Sequence, residues 1–493
     1  MTRRLPLSEI HTIHLDATSQ EPLYRQLYSA IRQAILSGRF PSKVRLPSSR
    51  QFADTLAIAR NTVTAAYDQL VDEGFIERRP GSGSFVAETQ PDTFIHVDSI
   101  PKRAPAIAQK SPLSQRGKRM AAPLRHRATG TPKPFVPGLP DLGELPIERW
   151  SRLMAKHWRL ATPSMLAYGN TGGLPALRHS ISAYLNACRA VNCQPKQVIV
   201  VAGAQQALDL TCRLLLDDGD PAWIEEPGYG GARGALINSG AKLIPVPLDA
   251  EGLDLTRGKA LCSRPKLIYI TPSHQYPTGR TMSLRRRLAL LEMARETGAW
   301  IIEDDYDSEY RYSGKPLAAL QGLDQSNRVL YIGTFSKVLF PSLRMGYLVV
   351  PPALTEAFLG ARGYTDTQPP VVIQAALAEL MDSGHFLSHI RRMRALYASR
   401  QQLMIGLLRQ HLHPWLFAEP PLAGMQLAAE AIVPMDDVAI SRRAERMGLH
   451  LPPLSTYYSG TPQTRGFVLG YAGFREEELR RGVEALASLL ACN

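Results

Sequence analysis

Six apolar runs, each followed by a segment with helical periodicity, constrain the larger part of this chain more than any other feature. They are Val198–Ala202, Pro221–Glu225, Lys242–Val246, Lys266–Thr271, Ala299–Glu303 and Val329–Gly333. Such alternation predicts an α/β domain built on a largely parallel sheet. Ligand groups in these sheets collect at strand ends, and the polar motifs of this chain fall at those ends.

The last run leads into Gly333-Thr-Phe-Ser-Lys337-Val-Leu-Phe, with Arg344 seven positions further on. A lysine hemmed in by apolar neighbours loses its proton easily and forms a Schiff base with an aldehyde. Thr334 and Arg344 beside it suit a phosphate. An aldehyde that also carries a phosphate is pyridoxal 5′-phosphate. The first run ends at Gly203, and a helix start follows, so Gly203, Ala204 and Gln205 are candidates for a backbone phosphate cradle. Glu225-Glu-Pro-Gly-Tyr229 ends in an aromatic that would stack on a planar ring or simply pack.

Ile301-Ile-Glu-Asp-Asp-Tyr-Asp307 runs an apolar strand into clustered acids, which is costly unless those acids have a task. A pyridine cofactor needs a carboxylate on its ring nitrogen, and Asp304 fits that role. Tyr306 is placed to bond the ring's 3′ oxygen. A metal at Asp305 or Asp307 is the alternative, but no histidine lies nearby in the sequence at ligand spacing. No metal site is expected.

The N-terminal hundred residues read differently. Leu23, Leu27, Ile31 and Ile35 fall on one helical face, and Gly38 ends that helix. Ser48 caps a second helix, Ser49 to Leu56, and a third runs from Arg60 to a stop at Gly74. Two short strands around the Gly81–Gly83 turn complete the pattern of a winged helix-turn-helix. Such a fold puts Arg60, Asn61, Thr62 and Thr64 in the major groove of DNA. Arg50 begins the preceding helix, and the hairpin with Gly81 and Gly83 lies along the backbone as a wing. A protein-interaction module is the competing reading.

Charge separates the parts. The chain carries a formal net charge of +13. Eleven Lys and Arg balance eleven Asp and Glu within residues 1–100, whereas residues 101–134 hold nine basic residues and no acid. The basic character is therefore mainly that of a proline-rich linker, either a solvated spacer or a salt-sensitive attractor of phosphates. The domain plan is 20–87 for the DNA-binding head, 88–134 for a semi-extended mobile linker, and 135–493 for the α/β body. Five cysteines with no Cys-x-x-Cys pair fit a reducing cytosol. No run is long enough to span a membrane, and the N-terminus lacks a signal-peptide core.

Two resemblances follow from these residues. Pro22-Leu-Tyr, Arg45-Leu-Pro-Ser-Ser-Arg50, Arg60-Asn-Thr-Val, Glu73-Gly-Phe-Ile and Gly81-Ser-Gly-Ser-Phe-Val86 resemble the head of GntR-type bacterial regulators. That resemblance implies operator contacts by Arg50, Arg60 and Thr64. The Gly203 turn, Pro277-Thr-Gly279, Asp304-x-Tyr306 and Ser336-Lys337…Arg344 resemble the fold-type I PLP enzymes of the aspartate aminotransferase superfamily.

By that likeness Lys337 is the Schiff-base lysine, Asp304 the ring-nitrogen partner and Tyr306 the 3′-oxygen partner. Tyr229 stacks on the ring, while Gln205, Thr334 and Arg344 meet the phosphate. Arg465 sits about where the family binds a substrate carboxylate. One departure stands out: Tyr276 occupies the position of the asparagine that precedes Pro-Thr-Gly in aminotransferases, which puts transamination in doubt.

Together the halves resemble the MocR/GabR subfamily of regulators. The expected protein is a cytoplasmic homodimer, head packed to tail, that binds operator DNA and senses PLP or an amino compound at Lys337. An active aminotransferase carrying an accessory head, and a cofactor-free scaffold, are the alternatives.

Overall fold

The computed structural model describes residues 5–10, 12–16, 19, 21–88, 113–121, 130–314 and 317–491. The chain divides into two compact units, Met1–Ser111 and Pro112–Asn493.

In the first unit a short helix α1 (Leu7–Ile10) precedes α2 (Leu23–Leu36), α3 (Ser49–Leu56) and α4 (Arg60–Asp72). An antiparallel hairpin of β1 (Ile76–Arg79) and β2 (Gly83–Val86) follows. The helical periodicity of α2 buries Leu27, Ile31 and Ile35 against Phe52 of α3 and Val63, Tyr67 and Leu70 of α4. Each such side chain contributes roughly 1.5–3 kcal/mol of apolar transfer. The Ser48 hydroxyl accepts from the Gln51 amide at 3.2 Å, so α3 starts where a serine cap predicts. Tyr67 meets Phe52 edge-on at 5.9 Å and donates its hydroxyl to the Pro47 carbonyl at 3.0 Å. This pair fixes α3 against α4.

Most of the stretch read as a mobile linker, residues 89–112 and 122–129, lies outside the described residues. Within it the described part contains one further helix, α5 (Gln115–Met120). Ser114 caps it, and Lys118 and Arg119 in its last turn complement the helix dipole.

The second unit is organised around an eight-stranded sheet of order β3-β10-β9-β8-β7-β4-β5-β6. The strands are β3 (Val198–Val201), β4 (Pro221–Glu226), β5 (Lys242–Asp249), β6 (Gly252–Leu253), β7 (Leu267–Ile270), β8 (Trp300–Asp304), β9 (Val329–Thr334) and β10 (Gly346–Val349). All six apolar runs are strands. Pairings β5-β4-β7-β8-β9 are parallel, while β10 runs antiparallel to both β9 and β3.

Helices cover both faces, so the central strands are buried on each side and read as continuous apolar runs rather than alternating ones. A second core surrounds an antiparallel sheet of β11 (Leu416–Phe417), β12 (Gln426–Ala431) and β13 (Gly466–Gly470), with the long helix His385–Leu407 and the C-terminal helix Glu476–Ala491. No helix among the described residues is long and apolar enough to cross a membrane.

Candidate functional site

Parallel β4, β7, β8 and β9 deliver their C-terminal ends to one edge of the sheet, and the candidate residues follow those ends. β9 closes at Thr334, and Lys337 lies in the turn after it. The Lys337 amine is buried and donates to the Gly138 carbonyl at 2.9 Å. Burial lowers its pKa, opposed by the charges of Asp307 and Asp304. Ser336 donates its amide to the Thr334 hydroxyl at 3.2 Å.

Gly203, with φ +105°, caps the N-terminus of the helix Ala204–Leu215. A Cβ there would sit 3.5 Å from the Arg344 guanidinium, so the arginine and the open helix N-terminus flank one small space. Gln205 donates its side-chain amide to the Gly231 carbonyl at 3.0 Å.

Strand parity sorts the acids of β8 and the turn beyond it. Glu303 accepts from the Leu320 and Gln321 amides and caps a short helix. Asp305 is held by Arg189 at 2.8 Å and by the Tyr331 hydroxyl. Asp304, on the opposite face, is 4 % exposed. Its Oδ2 accepts from Tyr269 at 2.8 Å, and its Oδ1 is buried without a partner. Burial pushes this carboxyl up to about 7. A buried carboxylate oxygen with no donor is expensive, so the pocket is shaped for a cationic or N–H partner at that atom.

Tyr306 shares Asp304's side. Its hydroxyl lies 2.9 Å from His274 Nδ1 and 3.1 Å from Gln426 Nε2. Tyr276 sits amid an aromatic cluster, edge-on to Tyr229 at 5.7 Å, to Tyr306 at 5.8 Å and to Tyr457 at 5.4 Å. Its hydroxyl bonds that of Tyr457 at 3.0 Å. The structure thus gathers Tyr229, Asp304, Tyr306 and Lys337 at one end of the sheet, where Gly203 and Arg344 flank a space beside the helix start at Ala204 and Gln205, with Thr334 at the end of β9.

Arg465 lies apart from this group. In the antiparallel β12–β13 pair, Gln426 faces Gly470 and Glu430 faces Gly466, so the even positions of both strands share the face that carries Gln426 toward Tyr306. Arg465 is odd and lies beyond the far end of β13. Its guanidinium pairs with Asp437 at 3.4 Å, on the side of the second core. A shift of one residue in a strand changes the face, which a reading by sequence proximity does not register.

Three contributors were missed from the sequence: His274, Asp307 as its partner, and Gln426. His274 Nδ1 lies 3.0 and 3.1 Å from the two Asp307 oxygens. The two residues are 33 positions apart, so a search for a histidine near Asp307 in sequence could not find the pair.

In the head, Arg50, Arg60 and Asn61 are exposed, and Thr62 and Thr64 are half-buried at the start of α4. Arg60 Nε donates to Ser49 Oγ at 3.2 Å, and Thr64 returns its hydroxyl to the Arg60 carbonyl at 3.0 Å. Gly81 and Gly83 form the exposed hairpin tip, and a Cβ at Gly83 would press on the Arg45 side chain at 3.1 Å. Arg78 pairs with Asp68, tying the wing to α4.

A helix-turn-helix head and an α/β body with a lysine-centred pocket define a DNA-binding protein with a cofactor-type effector domain. Residues 23–86 match the family of bacterial regulatory proteins of the gntR type, and residues 139–486 match aminotransferase class I and II. The chain is 43 % identical over 477 residues to a probable rhizopine catabolism regulatory protein, MocR, of Rhizobium meliloti, covering 96 % of this chain and 95 % of that protein. It is 34 % identical to the uncharacterised HTH-type transcriptional regulator YhdI of Bacillus subtilis, covering 97 % and 98 % of the two chains.

Among solved structures it is similar to LysN, an α-aminoadipate aminotransferase of Thermus thermophilus crystallised with N-(5′-phosphopyridoxyl)-L-leucine. That likeness has a TM-score of 0.71 at 28 % identity, over 77 % of this chain and 98 % of that one. The chain belongs to the MocR subfamily of GntR-type transcriptional regulators.

Proposed function

We propose that this regulator binds operator DNA through its head and reads PLP, or an amino compound that meets PLP, at Lys337. The observation that carries the reading is Asp304: a buried carboxylate with one unpartnered oxygen, on the same side of the sheet as a buried lysine amine. The residues present fit the cofactor. Asp304 would hold its ring nitrogen and Tyr306 its 3′ oxygen. The amides after Gly203, with Gln205, Thr334 and Arg344, would hold its phosphate, and Tyr229 would lie against its ring.

When bound, PLP supplies an aldehyde carbon that takes an amine and a ring that draws electrons from it. Lys337 provides the competing amine, which burial keeps readily deprotonated. Its contact with the Gly138 carbonyl ties the pocket to the segment that follows the linker. Occupancy of the lysine would release that contact, and regulation follows if the two states differ in affinity for DNA.

A sensor rather than a turnover enzyme is favoured by Tyr276, whose hydroxyl is taken up by Tyr457 and does not serve Tyr306. The pairing of Arg465 with Asp437 at 3.4 Å speaks against its use as a carboxylate clamp. Arg50, Arg60, Asn61, Thr62 and Thr64, with the wing at Gly81 and Gly83, form the DNA surface. The helix Ile147–Arg159 buries none of its residues, and Trp158, Leu160, Leu166, Tyr168 and Tyr364 are exposed nearby in sequence or on the same unit. Apolar surface of this kind supports a homodimer, here proposed as head-to-tail.

The test is a visible spectrum of the purified protein with added PLP, then borohydride reduction and peptide mapping. A band trapped at Lys337, shifted by an amine that also changes operator binding, is the expected result. No band after addition of PLP would refute the sensor.

A further inference from the structure

We propose that His274, locked in one tautomer by Asp307, is a positioning residue that makes Tyr306 an obligate hydrogen-bond donor into the pocket. The inference rests on the reading that this pocket takes PLP, and it concerns residues which that reading leaves without a role.

Asp307 is 1 % exposed, and the described residues offer its carboxylate one side-chain partner, His274 Nδ1, at 3.0 and 3.1 Å. A buried carboxylate needs a donor, so Nδ1 carries the hydrogen. Turning the ring over would set Cδ2, which offers a carboxylate no donor, against Asp307 in place of Nδ1. Gly424, with φ +99°, lies so close that a Cβ there would fall 1.9 Å from His274 Cε1, and Nε2 is itself buried without a partner.

Tyr306 Oη lies 2.9 Å from the same Nδ1. A protonated Nδ1 cannot accept, so the phenol receives a share of that hydrogen and gives nothing back. Gln426 Nε2 donates to the same oxygen at 3.1 Å. Two donors fill the acceptor side of the phenol, and its own hydrogen has no acceptor among the described residues. Burial, with the charges of Asp307, Tyr276 and Asp304, keeps the phenol protonated by raising its pKa well above the usual tyrosine value. The hydrogen is therefore directed to whatever acceptor enters beside Asp304.

Tyr276 bonds Tyr457 at 3.0 Å, so the orientation of Tyr306 falls to the His274–Asp307 pair and Gln426.

A hydrogen bond donated to the cofactor's 3′ oxygen favours negative charge there, so losing it moves the pH midpoint of the visible band upward. One such bond is worth about a tenfold change in equilibrium, or roughly one pH unit. The titratable groups facing Tyr306 are Asp304 and Asp307 on its own segment, His274 and Tyr276 from the loop after β7, and Lys337 across the pocket.

The experiment titrates the visible band of the PLP-loaded full chain from pH 5 to 10. His274→Leu and Asp307→Asn should each raise the midpoint by about one unit. His274→Asn, which places an amide N–H near the position of Nδ1, should stay within a few tenths. Asp307→Asn changes almost no volume, so it decides the matter even if the leucine variant fails to fold. Wild-type midpoints in His274→Leu and Asp307→Asn, or an asparagine variant shifted as far as the leucine one, would overturn the proposal. A wild-type protein with no band after addition of PLP would instead overturn the underlying reading of the pocket.

Discussion

Replacing Asp304 with asparagine should stabilise the cofactor-free protein at pH 8 and leave it near wild type at pH 4. In the folded chain burial pushes this carboxyl up to about 7, with the charges of Asp305 and Asp307 adding to the shift and the Tyr269 hydrogen bond opposing it. In the unfolded chain it titrates near ~3.9. Between those values the folded state keeps a proton that the unfolded state gives up, so stability falls as pH rises through the window. The slope is about 1.4 kcal/mol per unit, and the whole window is worth at most about 4 kcal/mol.

Asparagine is nearly isosteric, still accepts from Tyr269, and never ionises. Glu225, Glu303 and Glu309 are also pushed up to about 7, mainly by burial, and they titrate in both proteins. The difference between variant and wild type therefore isolates Asp304. The assay is thermal unfolding of the cofactor-stripped pair, followed by near-ultraviolet circular dichroism at pH 4, 5, 6, 7 and 8. The melting-temperature difference should open from near zero to a few degrees in favour of the variant. Saturating PLP should invert the order at pH 8, because the wild-type carboxylate then has its partner. A difference that stays flat with pH would refute the argument from burial.

Lys337→Ala should retain operator binding, lose the borohydride-stable label and stop responding to amines, as read by a gel-shift titration with and without the amine. Arg60→Ala should weaken operator binding by about 1–3 kcal/mol in fluorescence anisotropy, more if it reads a base than if it meets a phosphate. In the latter case the slope of log affinity against log salt should drop by about one. Arg465→Ala should leave the amine concentration for half-maximal change of the visible band unaltered, since its partner Asp437 points it away from Tyr306 and Lys337. Asp437 keeps the Ser455 amide and hydroxyl and the Gly466 amide, so the stability cost should stay near 1 kcal/mol.

What the sequence made legible was local. Each strand of the parallel sheet announced itself as an apolar run because helices bury both of its faces. The placement of Lys337, Asp304 and Gly203 at strand ends was readable because the turn that follows a strand is written within a few residues of it. Serine caps and helical periodicity did the same for α3 and α2. What stayed hidden depends on which face a residue takes and on partners far along the chain. Arg465 fell near a plausible place in sequence but on the other side of β13. The acids 303 to 307 looked like one cluster until alternation divided them: Glu303 to a helix cap, Asp305 to Arg189, Asp304 to the pocket.

The same division explains why so acidic a segment is tolerated in a core. Among the described residues each of these acids has at least one donor within the fold. Glu303 takes two backbone amides, Asp305 an arginine and a tyrosine, and Asp307 an imidazole. Asp304 and Asp305 each keep one oxygen without a partner among the described residues, and of the two it is Asp304 whose charge interacts with Lys337. The described residues thus set a carboxylate and an amine at one pocket, the two groups that the proposed reading of a pyridine aldehyde requires.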